Sequence, residues 1–257
     1  METRLPFDIS PQPDETTCGP TCLHAVYRYH GDPLALEDVL SQTGRLETGG
    51  TLAVMLGDHA LRRGYRATIY TFNLEVFDPT WFDSRGHSLP ADELTRRLLA
   101  QRAVKHSPRL RFASDAYVEF LRLGGRIRMR NLDGGLIRRY LKKSIPVLAG
   151  LSATWLYAEP REVQPDPAID RWIPDDINGE PAGHFVILCG YDAESRRVVI
   201  ADPLEANPFS QHVYAVDLDR VACAILLGIV TFDANLLVIE PARQLPGDPG
   251  ARSDRDE

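Results

Sequence analysis

Apolar residues recur at helical spacing through the first quarter of the chain and at strand spacing through most of the last third. From 18 to 30, Leu23, Val26 and Tyr27 share one helical face, Pro20 sits in the first turn where its missing N–H costs nothing, and Gly31-Asp32-Pro33 ends the run. A second helix is expected over 36–43, ended by Gly44, and a third over 51–63, between the Gly49-Gly50 turn and Gly64. Residues 65–72 alternate as a strand does. Residues 73–131 read as an inserted helical module, with amphipathic helices over 92–106 and 114–123 and a strand over 126–130. Another helix follows over 133–143, then an apolar, buried type of strand over 146–156.

Residues 159–182, rich in Pro, Asp and Glu, show no periodicity and read as a long loop. Beyond it, strands are expected over 184–191, 197–201, 211–216 and 229–239, with a short helix over 219–227. The last fifteen residues, 243–257, carry Pro, Gly and alternating charge and read as a disordered tail. The expected architecture is therefore α+β: one domain over 1–242, helical in its N-terminal part, with an antiparallel C-terminal sheet.

Composition narrows the class further. At 257 residues, 44% of them hydrophobic and 25% charged, the chain can bury a full core in an ordinary globular domain. No apolar run follows the first residues, so no secretory signal is expected, and the apolar stretch 221–230 is too short to span a bilayer. Four cysteines (18, 22, 189 and 223) are too few for a disulfide scaffold and favour a reducing, cytoplasmic setting. Cys18 and Cys22 with His24 match no usual zinc spacing, and no metal or cofactor is expected.

Charge is distributed unevenly. Residues 1–84, 85–143 and 144–257 carry −6, +10 and −11, which together make the −7 of the whole chain. A block this basic either attracts an acidic peptide or pairs with the acidic C-terminal half. Nucleic acid is disfavoured, because no aromatic interleaving or binding motif accompanies the arginines. An acidic peptide is thus the expected preference among substrates; oligomeric state is not legible.

The chemistry rests on four residues. Gln12 precedes Cys18 by six positions, and Cys18 stands where the first helix begins. A helix N-terminus and a neighbouring imidazolium both favour a thiolate, and a side-chain amide supplies a donor to the oxyanion that a thiolate attack creates. Far downstream, Gly183-His184-Phe-Val-Ile-Leu-Cys-Gly190-Tyr191-Asp192 and Val199-Ile-Ala-Asp202-Pro203 read as the arms of a hairpin. If its turn centres on Ala193, His184 and Asp202 face one another, close enough for the carboxylate to accept from Nδ1–H and aim Nε2 at the thiol.

The pattern Q-x5-C-G-P-x-C-L, with the later G-H-F-V-I-L-x-G-Y and V-I-A-D-P, resembles the bacteriocin-processing peptidases, papain-like cysteine peptidases that cut leader peptides after a double glycine. The resemblance implies a papain-like fold, with Cys18 as nucleophile, Gln12 as oxyanion donor, His184 as base and Asp202 as its orienting carboxylate. The six-residue spacing selects Cys18, since Cys22 stands ten from Gln12 and inside the helix; Cys22, Cys189 and Cys223 read as core residues. Thr17 and Thr21 depart from the family's usual acidic residue and alanine, and the segment 73–131 exceeds its usual length. A stand-alone relative without transporter modules is expected, and double-glycine specificity is not carried across. The expected activity is hydrolysis of a peptide or amide bond; acyl transfer to an amine, or an inactive peptide-binding module of the same fold, are the alternatives.

Overall fold

The computed structural model describes residues 2–46, 50–166 and 171–242, and the tail expected at 243–257 lies outside these. In chain order the elements are β1 (Glu2–Arg4), α1 (Cys18–Tyr29), α2 (Leu36–Gln42), α3 (Ala53–Arg62), β2 (Arg66–Thr71), α4 (Ala91–Val104), α5 (Pro108–Arg122), β3 (Arg126–Arg128) and α6 (Gly134–Leu141). They continue with β4 (Val147–Ser152), α7 (Ala153–Tyr157), β5 (Glu162–Val163), β6 (Ile173–Pro174), β7 (Gly183–Asp192), β8 (Arg197–Ala201), β9 (Val213–Asp217), α8 (Leu218–Leu227) and β10 (Asn235–Glu240). Eight of the strands form one sheet in the order β3-β2-β10-β4-β7-β8-β9, with β1 paired to the far end of β7. The β2–β3 pair is parallel and the other pairs are antiparallel.

The α+β class holds, but the sheet is not confined to the C-terminal part. β2 and β3 supply one edge, because β10 returns to pair with β2 along its whole length. Every residue of β4 is buried. Successive side chains of a strand point to opposite faces, so both faces of the sheet centre are covered. α1 packs against β7, α3 against β2 and β10, α6 against β4 and β7, and α8 against β4, β8 and β9.

Several boundaries move, each for a local reason. α5 begins at Pro108 rather than at 114, because the Ser107 hydroxyl caps it by accepting from Leu110 N–H at 3.3 Å, and Pro108 fits the first turn. The strand expected over 146–156 stops at Ser152, whose side chain caps α7. The strand expected over 229–239 begins only at Asn235. Before it, Gly228–Thr231 forms a 3-10 turn, and Phe232 (φ 71°) and Ala234 (φ 40°) adopt left-handed backbone. An apolar run hides such a turn, since burial alone does not specify extended backbone. The loop expected over 159–182 contains the small β5–β6 hairpin.

Close approach between α1 and β7 positions the site. A Cβ on Gly19 would stand 3.2 Å from the Phe185 ring, and the Cys22 thiol donates to the Phe185 carbonyl oxygen at 3.2 Å. The start of α1 and the start of β7 are therefore locked side by side.

The 73–131 segment shares its buried side chains with the rest of the core. Phe120 of α5, fully buried, wedges between Gly57 of α3 and Gly125, whose added Cβ atoms would fall 2.6 and 2.4 Å from its ring. Phe120→Ala is expected to cost about 3–5 kcal/mol, measured by urea unfolding, with one cooperative transition. Two separated transitions would show that this segment folds as a unit of its own.

Candidate active site

The turn before α1 is built by Asp14, whose Oδ1 accepts from the Thr16 N–H at 2.9 Å and the Thr16 hydroxyl at 2.8 Å. Thr17 enters the helix without a side-chain cap, and the N–H groups of a first helical turn have no intrahelical acceptors. Cys18 opens that turn and is partly exposed in a cleft of ≈ 670 Å³ that Gln12, His184 and Phe185 also line. The structure thus brings together Cys18, His184 and Gln12 in one cavity, with Asp202 immediately behind the histidine.

The hairpin register differs from the expected one. Ile187 pairs with Ala201 and Leu188 with Ile200, so continuation of the ladder sets Val186, not His184, opposite Asp202; a bulge lies between Leu188 and Gly190. The contact survives because residues 184 and 186 share a face of β7, which makes His184 the diagonal neighbour. The longer diagonal reach also reverses the ring. Nε2, the distal nitrogen, meets Asp202 Oδ1 at 2.9 Å, correcting the expected Nδ1 contact. Nδ1 is the nitrogen that Asp202 does not use, and Cys18 lines the same cleft as His184.

Asp202 is fully buried yet well supplied with donors. Oδ1 accepts from His184 and, at 2.9 Å, from the Leu204 N–H; Oδ2 accepts from the hydroxyls of Tyr157, at 2.6 Å, and Tyr214. Burial opposes the carboxylate, but His184 and the two hydroxyls outweigh it and hold Asp202 below its ordinary value. Burial likewise opposes a charged His184, and the Asp202 and Cys18 side chains override it, raising the imidazole to about 10. The histidine is therefore an imidazolium at neutral pH, facing the sulfur. Burial and the Asp202 charge push both tyrosines far above the ordinary phenol range, so both remain donors.

Sequence reasoning missed Tyr157 and Tyr214. Tyr214 stands on the buried positions of β9 and Tyr157 at the end of α7, so topology alone unites them. No spacing signal marks them.

Gln12 is anchored by its backbone, whose N–H donates to the Pro203 carbonyl oxygen at 2.9 Å, and by one side-chain N–H that donates to the Asp14 carbonyl oxygen at 2.9 Å. Its amide carries a second N–H. The residue after Asp202 thus holds the segment that carries Gln12.

The other cysteines divide. Cys22 and Cys189 are buried, as expected, and burial raises both thiols, that of Cys189 to about 12. Cys223 is exposed, which corrects its expected place in the core: α8 turns that position outward.

The basic block does not line the cleft. Arg96 and Arg97 pair with Glu93, Arg62 and Arg122 with Glu119, and Arg102 with Asp115; between 96 and 139 only Arg109 reaches the cavity. The cleft instead carries Glu15, Glu159, Glu162 and Glu180. The expected preference for an acidic peptide thus lacks its geometric basis. Burial, together with the charges of Glu15 and Glu159, raises Glu162 above its ordinary value.

The Peptidase_C39-like family model matches residues 135–222, a segment that includes His184 and Asp202 and ends well short of Cys18. No curated protein matches the chain. Among solved structures, one from Bacillus anthracis described as a C39-like peptidase aligns over 93% of this chain and 97% of its own, with 14% identity and a TM-score of 0.47. Xylellain, a cysteine protease from Xylella fastidiosa, aligns over 94% of this chain and 86% of its own, with 14% identity and a TM-score of 0.44.

The charged pair has a defined pH signature. A raised His184 stabilises the fold fully below about 6.5 and loses that contribution as pH rises toward about 10. A lowered Asp202 stabilises above about 4 and loses its contribution as pH falls below that. Asp202→Asn removes the carboxylate's contribution and the part of the His184 contribution that comes from Asp202. The stability gap between wild type and Asp202→Asn, measured by urea unfolding, is expected to shrink steadily from pH 6.5 to 10; a gap that widens over this range would contradict the charged pair.

Proposed function

We propose that the chain is a papain-like cysteine peptidase of the C39-like type, which hydrolyses a peptide or amide bond through Cys18, His184, Asp202 and Gln12. The observation that carries this reading is the single line of contacts in which a partly exposed cysteine at a helix start meets a histidine whose far nitrogen is held by a buried carboxylate. Support also comes from the family model, which spans the His184 and Asp202 segment.

In this mechanism the Cys18 sulfur, as thiolate, attacks the scissile carbonyl carbon. The oxyanion accepts from the Cys18 backbone N–H and from the second N–H of Gln12. The His184 imidazolium passes its proton to the departing amine, leaving a thioester on Cys18. His184, now neutral, takes a proton from water as the water oxygen attacks that thioester. The product leaves as a carboxylic acid and Cys18 regains its starting state. Asp202 and its tyrosines keep the ring oriented throughout.

The alternative of a purely structural cysteine fits Cys22 and Cys189, which are buried, better than Cys18. Substrate is a peptide, and a cytoplasmic setting suits four free thiols. Among the described residues no helix is long and apolar enough to cross a membrane.

Cys18→Ala is expected to abolish cleavage across a peptide library that wild type hydrolyses; full activity in that variant would sink the assignment. Iodoacetamide at pH 6 is expected to modify Cys18 roughly 50-fold faster than the exposed reference thiol Cys223, and His184→Ala removes the difference. Equal rates in wild type would indicate an unactivated thiol. Gln12→Ala is expected to lower kcat about 10²–10³-fold while the alkylation rate of Cys18 stays near that of wild type, since alkylation forms no oxyanion.

A further inference from the structure

The catalytic cleft holds a buried carboxyl that the mechanism does not use. Asp233 lines the cavity, is only 5% exposed, and follows the left-handed Phe232. Its position relative to the nucleophile is close: its side chain abuts the position of a Gly150 Cβ at 2.8 Å, as the Phe185 ring does at 3.1 Å, and that same ring packs on Gly19 beside Cys18. One phenyl ring therefore separates Asp233 from the start of α1.

The carboxyl is under-satisfied. Among the described residues its side chain makes one hydrogen bond, accepting at Oδ1 from the Ala53 N–H at 3.3 Å. Thr51, 7% exposed, lines the same cavity, and its hydroxyl is buried without a hydrogen-bond partner among the described residues. Capping α3 through Ala53 uses one carboxyl oxygen and leaves the other, and it does not account for Thr51. A buried hydroxyl without a partner is costly unless a ligand completes it, and the second Asp233 oxygen is open to one in the same cavity. The surrounding walls are apolar, with Leu52, Phe185 and Phe232 among them.

Charge across the rest of the cleft selects the kind of ligand. Glu15, Glu159, Glu162 and Glu180 line it against one arginine, Arg109, and burial with like-charge crowding already raises Glu162. A cavity with one sign of charge and low-dielectric walls concentrates counter-charge. A cleft whose lining joins Leu52, Phe185 and Phe232 with the Asp233 carboxyl and the Thr51 hydroxyl suits a long aliphatic stem that ends in an ammonium or guanidinium.

We propose that Asp233, with Thr51, forms the floor of a specificity subsite that takes a lysine or arginine side chain of the peptide substrate, the glutamates of the cleft steering it in. The subsite rests on the peptidase reading above. Burial raises the Asp233 carboxyl to about 8, with the Ala53 N–H opposing. The empty pocket is therefore mostly uncharged at neutral pH, and an entering cation releases the proton and forms the ion pair. Because the empty form is a neutral acid, Asp233→Asn changes neither volume nor charge greatly, and the variant is expected to fold.

The test scans each position of a fixed peptide frame with lysine, arginine, norleucine and glutamate, reading kcat/KM for wild type, Asp233→Asn and Thr51→Val. At one position lysine or arginine is expected to exceed norleucine at least tenfold in wild type, the ratio to fall to within about twofold of unity in Asp233→Asn, and to fall partway in Thr51→Val. No cationic preference at any position, or a preference that Asp233→Asn leaves intact, would overturn the subsite. The same peptides are titrated calorimetrically against Cys18→Ala with and without Asp233→Asn. A lysine-over-norleucine preference that depends on Asp233 sustains the subsite even if wild type cleaves nothing, in which case the hydrolase reading alone fails. Equal binding of the two peptides overturns the subsite.

Discussion

A carboxylate with no exposure to water can exist in this core only because four donors converge on it. Removing a carboxylate from water costs several kcal/mol, and Asp202 offsets that with His184, the Leu204 N–H and the hydroxyls of Tyr157 and Tyr214. Those donors come from β7, from the turn after β8, from α7 and from β9. Satisfying this one group therefore ties together four segments, and the charge and orientation of His184 follow from it. The same negative charge that raises the imidazole keeps both phenols protonated as donors.

The N-terminal half is fitted to that centre by two separate contacts. Gly19 lets α1 approach Phe185 closely enough to bring Cys18 beside His184. The Pro203 carbonyl, one residue beyond Asp202, receives the Gln12 N–H and holds the Gln12 segment in place. Cys18, His184, Asp202 and Gln12 are thus referenced to a common backbone frame instead of to one another's flexible side chains. The proposed mechanism draws on that preorganisation.

Much of this was legible in residue order, and the limits have physical causes. The helix starting at Cys18 could be read because periodicity, proline and glycine all agree there, and the strand β8 was read with its observed bounds. The pairing of His184 with Asp202 was legible as proximity but not as register, since the bulge between Leu188 and Gly190 and the true turn position shift the ladder. That shift also decides which ring nitrogen meets the carboxylate. Tyr157 lay hidden because the apolar run through β4 continues into α7, where Ser152 caps a helix that hydrophobicity alone cannot announce. Asp233 was hidden in the same way, inside an apolar run that proves to contain a left-handed turn. The basic block misled for a different reason: charge per segment says nothing about placement, and Arg96, Arg97, Arg102 and Arg122 pair with Glu93, Asp115 and Glu119 away from the cleft lining.

The chain's two kinds of buried carboxyl make a contrast that bears on function. Asp202, surrounded by donors, is held ionised and serves the histidine. Asp233, with a single backbone donor, is held neutral and faces the cavity. Burial is similar and the donor count differs, so the number of hydrogen bonds separates a permanent charge from one that awaits a partner. The central claim remains that Cys18 is the atom that acquires the acyl group. Acid-quenching the enzyme during turnover of an activated peptide ester, followed by peptide-level mass spectrometry, tests it directly: an acyl adduct on Cys18 is predicted. Turnover with the adduct on Cys22, Cys189 or Cys223, or with no adduct on any cysteine at any quench time, would contradict it.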